Sequence, residues 1–96
     1  MPAMPFSEMP DHSRVWIFAA ARPLNEQEAQ VLLDQVDAFL GEWHAHGAAV
    51  VGGRDWRYDR FLMIAADETA TGVSGCSGDA LFGLLKETER GLGVPL

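Results

Sequence analysis

The residues best placed to do chemistry lie in one polar turn, Ser74-Gly75-Cys76-Ser77-Gly78-Asp79, which holds the only cysteine of the chain. Just upstream stand two carboxylates, Asp67 and Glu68, and earlier comes a cluster of Trp43, His44 and His46. A thiol one or two residues before a helix feels the partial positive charge of free N–H groups, which lowers its pKa and favours the thiolate. A carboxylate on Asp79 pushes the other way, so activation needs a cation brought in by the fold, from Arg54, Arg57, Arg60 or a histidine. In a thiol-dependent enzyme or redox sensor, Cys76 is the nucleophile, His46 the base and Asp67 its orienter. In the structural reading, Cys76 is a small buried hydrophobe, Ser77 caps the following helix and Asp79 complements its dipole.

Other chemistries fit the spacing less well. Gly72, Gly75 and Gly78 recur every third residue before a helix, where an anion could dock, but a phosphate loop requires G-x-x-x-x-G-K-[ST] and no Lys follows here. Gly72-Val73-Ser74-Gly75-Cys76 lacks the last glycine of a nucleophile elbow. His44 and His46 are two apart, so on a helix they point to different faces and cannot clasp one metal. Asp67 and Glu68 at a strand end face opposite sides, which disfavours a paired acid and base. The sequence thus nominates Trp43, Ser74, Gly75, Ser77 and Asp79 for binding, with no metal and no cofactor.

Composition bounds the partners. Ninety-six residues with a formal charge of -7, fourteen acids against seven bases, repel phosphate backbones and anionic lipid, so neither nucleic acid nor membrane is expected. At 48% hydrophobic and 22% charged the chain reads as globular. A lone cysteine and the lack of a secretory signal pattern point to the cytoplasm. Residues 1–13, with three prolines, read as a flexible lead, and 14–96 as a single domain.

Arg14 to Ala21 is an apolar run without alternation, the pattern of a strand covered on both faces. Asn25 and Glu28 form a capping box ahead of a helix whose apolar stripe runs through Ala29, Leu32, Leu33, Val36, Phe39, Leu40 and Trp43, with Gly47 as its stop. Ala48 to Val51 is a second strand, Gly52-Gly53 its end or a bulge, and Phe61 to Ala66 a third strand. The hairpin turn lies at Gly52-Gly53 or near Asp59. A last helix runs from about Asp79 to Arg90, with Leu81, Leu84 and Leu85 inward and Gly91 closing it.

The expected fold is therefore α+β in the order β-α-β-β-α, a sheet of about three strands with two helices. Two helices cannot cover both faces of such a sheet, and its edges stay unpaired, so a homodimer packing sheet to sheet or edge to edge is expected. The chain also resembles a family of short uncharacterised bacterial proteins. The likeness is carried by Arg22-Pro23-Leu24, Trp43 with His46-Gly47, Asp59-Arg60-Phe61, Asp67-Glu68 and above all the S-G-C-S-x-D turn of 74–79. Members sometimes carry the label of an ABC transporter ATPase, which the missing phosphate loop argues against. Gly78 stands where the family pattern has an apolar residue, and the resemblance implies no reaction. The reading that emerges is a small binding or assembly module, with an unidentified ligand or partner, and a thiol enzyme or sensor as its alternative.

Overall fold

A computed structural model describes residues 4–45, 48–67 and 75–96, with 45, 48 and 75–77 described by backbone alone. The elements are β1 (Met4–Pro5), β2 (Arg14–Ala19), α1 (Glu26–Glu42), β3 (His44–Ala45), β4 (Ala48–Ala49), β5 (Val51–Arg57), β6 (Phe61–Asp67) and α2 (Gly75–Leu92). The fold is α+β and its main elements follow the expected β-α-β-β-α order. The main sheet has four strands rather than about three, in the order β1-β5-β6-β2. The extra strand comes from the N-terminal stretch read as a lead: Met4 and Pro5 pair in parallel with Gly53 and Arg54. The other neighbours are antiparallel, and β3 pairs with β4 in a separate two-stranded ribbon.

Helix α1 starts where its sequence dictates. The Glu28 N–H donates to Asn25 Oδ1 at 2.8 Å and the Asn25 N–H to Glu28 Oε1 at 3.0 Å, satisfying two otherwise orphaned donors. Its buried stripe is Ala29, Leu32, Val36 and Leu40. The helix stops at Glu42, with Trp43 as an extended C-cap, so His44 belongs to a strand and Gly47 is not the stop. Among the described residues α2 runs from Gly75, at least four residues before the expected start, and Ser77 is therefore inside the helix rather than its cap. At its other end Gly91 is helical, and the left-handed residue is Gly93, with φ of 70° and its N–H donating to the Glu89 carbonyl at 2.8 Å.

Both helices pack on one face of the main sheet. Leu62, Ile64 and Ala66 of β6 join Leu32, Val36 and Leu40 of α1 and Leu81 and Leu85 of α2 in one buried cluster. Thr88, 3% exposed, donates its hydroxyl to the Leu84 carbonyl at 3.0 Å, which satisfies a polar group between the helices. The hairpin turn lies at residues 58–60, and Gly52-Gly53 run inside β5 rather than ending it. A Cβ on Gly53 would come 2.5 Å from the Met4 carbonyl oxygen, so the approach of β1 requires glycine there.

Strand β2 departs from its expected burial. It is an edge strand, with Val15 48% and Ile17 67% exposed and Trp16 and Phe18 turned toward the helices. Its apolar run reflects two unlike environments, one packed and one open, rather than cover on both faces.

Candidate functional site

Of the S-G-C-S-x-D turn, Gly75, Cys76, Ser77 and Asp79 lie on the first described turns of α2. The backbones of Gly75, Cys76 and Ser77 are helical, Gly78 is buried, and Asp79 is exposed. A Cβ on Gly78 would lie 3.5 Å from Trp16 Cζ2, so the helix start rests on the indole, and an apolar side chain has room only at contact distance. Ser74 and His46 lie outside the described residues, as do the side chains of Cys76 and Ser77.

Asp67, proposed as the orienter of His46, closes β6 and meets His12, with Nε2 3.1 Å from Oδ1. That contact ties the segment before β2 to the end of the sheet. Trp43 is 2% exposed and packs its ring against Phe39 at 5.0 Å and Trp16 at 5.9 Å, so it serves the core. His44 is exposed, and its Nδ1 lies 2.5 Å from the Glu42 carbonyl oxygen, at the end of α1.

The arginines considered as activators of Cys76 are held elsewhere. Arg54 grips Asp37 through Nε and a second guanidinium nitrogen at 2.8 and 2.9 Å, which raises its pKa. Arg57 donates to Asp55 at 2.7 Å, and this bond holds the Asp55 carboxyl below its ordinary range. Arg60 donates from Nε to the Ala20 carbonyl at 2.8 Å. A cleft of about 370 Å³ opens beside Pro5, Phe6, Ser7, Arg54, Asp55 and Arg57, but it touches none of the nominated residues. Among the described residues no group of three or more His, Cys, Asp or Glu could hold a metal ion.

The feature that the sequence hid is the sheet face opposite the helices. Opposed residues of antiparallel strands share a face, so Val15 lies with Ala65, Ile17 with Met63 and Ala19 with Phe61, and the next strand adds Gly53, Asp55 and Arg57. Met4, Phe6 and Met9 close over the Gly53 side, where Ala65 is 2% exposed. The β2 side stays open, with Val15 and Ile17 beside Phe61, 36% exposed. Tyr58, 81% exposed at the hairpin tip, sets its ring edge-on to Phe61 at 6.3 Å.

No family model matches the chain, and no curated protein or solved structure matches it. Among the described residues no helix is long and apolar enough to cross a membrane.

Proposed function

We propose that this chain is a small homodimeric binding or assembly module of the bacterial cytoplasm, working through its main sheet rather than through covalent chemistry. The observation that carries this reading is the one-sided packing. Both helices cover one face, while Val15, Ile17, Phe61 and Tyr58 stand exposed on or beside the other. Large apolar side chains gathered on one surface favour contact with another macromolecule. The resemblance carried by the S-G-C-S-x-D turn is the ground for the bacterial assignment, and the acidic, single-cysteine composition for the compartment.

Sedimentation at micromolar concentration tests the reading. A species of twice 10.5 kDa is expected, and a monomer overturns it. The Cys76→Ser chain is expected to fold and assemble like the parent, and unfolding or dissociation would count against a module whose work lies in the sheet.

The alternative is a thiol-dependent enzyme or redox sensor built on Cys76. Its support is that α2 already includes Cys76 in its first described turn, and a thiol near a helix N-terminus has its pKa lowered by the dipole. Alkylation of the native protein across pH separates the two. A fast reaction with a midpoint well below the ordinary value of about 8.5 would favour the thiol reading, and an ordinary midpoint would dismiss it.

A further inference from the structure

The two edges of the main sheet are unlike. One edge is β1, which among the described residues is Met4–Pro5 and ends in Pro5, a proline-guarded edge of the kind that resists further pairing. The other is β2, six residues, apolar from Val15 to Ala19, with neither proline nor lysine in it.

The backbone of β2 faces outward at known positions. The Ala20 N–H donates to the Arg60 carbonyl at 2.9 Å, on the side of β6, whereas the Ala21 N–H donates to the Pro95 carbonyl at 2.9 Å, on the other side. Backbone groups alternate along a strand, so the N–H and C=O of Val15, Ile17 and Ala19 point to the open edge. This window is closed at both ends. Pro95 occupies the outward position at Ala21, and the Ser13 N–H turns back to the Pro10 carbonyl at 3.0 Å.

We propose that a second copy of this chain pairs with β2 in antiparallel fashion about a two-fold axis at Ile17, joining the sheets of two copies into one. This rests on the homodimeric reading and specifies its seam. Ile17 is the midpoint of the window, so this register alone sets every outward group against an outward group: Ile17 against Ile17 of the second copy, and Val15 against Ala19.

The layer above the strands fits the same symmetry. Strands lie about 4.8 Å apart and packed helices about 8–10 Å, so one helix spans two strands. Helix α2 lies over β2 and its neighbour β6, with Phe82 edge-on to Phe18 at 5.9 Å, Gly78 against Trp16, and Leu81 and Leu85 in one cluster with Leu62 and Ile64. Edge pairing therefore brings α2 of one copy to packing distance from α2 of the other. The residues Asp79, Phe82, Gly83 and Lys86 form one exposed stripe at i, i+3, i+4 and i+7. Phe82 is 44% exposed, and a Cβ on Gly83 would meet nothing within 4 Å, leaving space for a neighbour's side chain. Run antiparallel, the stripe is complementary to itself, bringing Asp79 of each copy toward Lys86 of the other, while Phe82 faces Gly83. The only lysine of this acidic chain lies in that stripe.

Cysteine pairing in the Cys76→Ser background tests the register, with oxidised glutathione as oxidant. Paired residues in this register lie about 5.5 Å apart between Cα atoms, within disulfide range. Ile17→Cys chains are expected to crosslink with themselves. Val15→Cys chains are expected to crosslink with Ala19→Cys chains but not with themselves, since two copies of position 15 lie about 13 Å apart. A surface exchange that leaves the strand untouched gives a second readout. Lys86→Asp is expected to weaken dimerisation about tenfold, and Asp79→Lys added to it to restore affinity to within about twofold. A sedimenting dimer without the Val15–Ala19 crosslink and without charge rescue overturns the β2 seam while self-association stands. A monomer overturns both.

Discussion

Tyr58 and Asp59 hold φ of 58° and 56° at the hairpin tip, and the Arg60 N–H closes the turn on the Arg57 carbonyl at 3.1 Å. Two left-handed central residues match the twist of the flanking strands, but a bulky side chain pays about 1–2 kcal/mol to sit there. Tyr58→Asn, which tolerates this conformation, is expected to stabilise the fold by about 0.5–1 kcal/mol in urea titration. A loss of stability would mean that the Tyr58–Phe61 contact outweighs the strain. Glu28 carries a pH dependence instead. The paired bonds from Arg22, at 2.7 and 2.9 Å, and then the Asn25 N–H hold its carboxyl at about 2, below its ordinary 4.5. A depressed folded pKa stabilises above the unfolded value and is lost as pH falls through the folded one. The contribution is thus expected to fade between pH 4.5 and about 2, and Glu28→Gln to flatten that limb of the stability profile. An unchanged slope in Glu28→Gln would show that the ion pair is fully screened. At this scale the capping box could be read from Asn25 and Glu28 alone, because both partners lie within one turn. The strain at Tyr58 could not, because strand pairing on either side imposes it.

At the scale of elements, the approach of β1 to β5 is set by one missing side chain. Gly53→Ala would put a methyl 2.5 Å from the Met4 carbonyl, and backbone cannot yield as a side-chain tip does. The expected result is release of Met4–Pro5 from the sheet, seen as faster proteolysis at the N-terminus, with a smaller change in global unfolding. Unchanged proteolysis would show that the edge absorbs the methyl. The helices were legible because their apolar residues repeat at the helical period and face one core. The strands were less so: a continuous apolar run has no period to say which strand has neighbours, and β2 with its exposed Val15 and Ile17 read like an interior strand. Gly52 and Gly53 read as a strand end, a bulge or the hairpin turn, whereas Leu40 and Trp43 press on the first and Met4 on the second from the opposite side. The start of α2 was missed because glycine and serine carry low helix propensity, which the packing of Gly78 on Trp16 overrides. Of the candidate site, Asp67 meets His12, fifty-five positions away, a contact no local spacing could reveal, while His46 lies outside the described residues.

For the whole molecule, charge decides how assembly responds to its surroundings. Two copies that each carry -7 repel over the screening length, whereas the Asp79–Lys86 contacts proposed across the seam act over a few ångströms. Both are weakened by salt, but exposed ion pairs contribute little, so the net repulsion is the larger quantity lost. Raising ionic strength from about 0.1 to about 1 M shortens the screening length from about 10 to about 3 Å, and the dimer is expected to tighten. Lowering pH from 7 toward the isoelectric point near 4.7 acts in the same direction by removing net charge. The Glu28 contribution is still present there, since its loss begins below 4.5, so tighter association near pH 5 would not arise from unfolding. Sedimentation at two salt concentrations and two pH values measures both responses. A dimer that loosened with salt would mean that short-range ion pairs, rather than paired strands and apolar contacts at β2, hold the copies together.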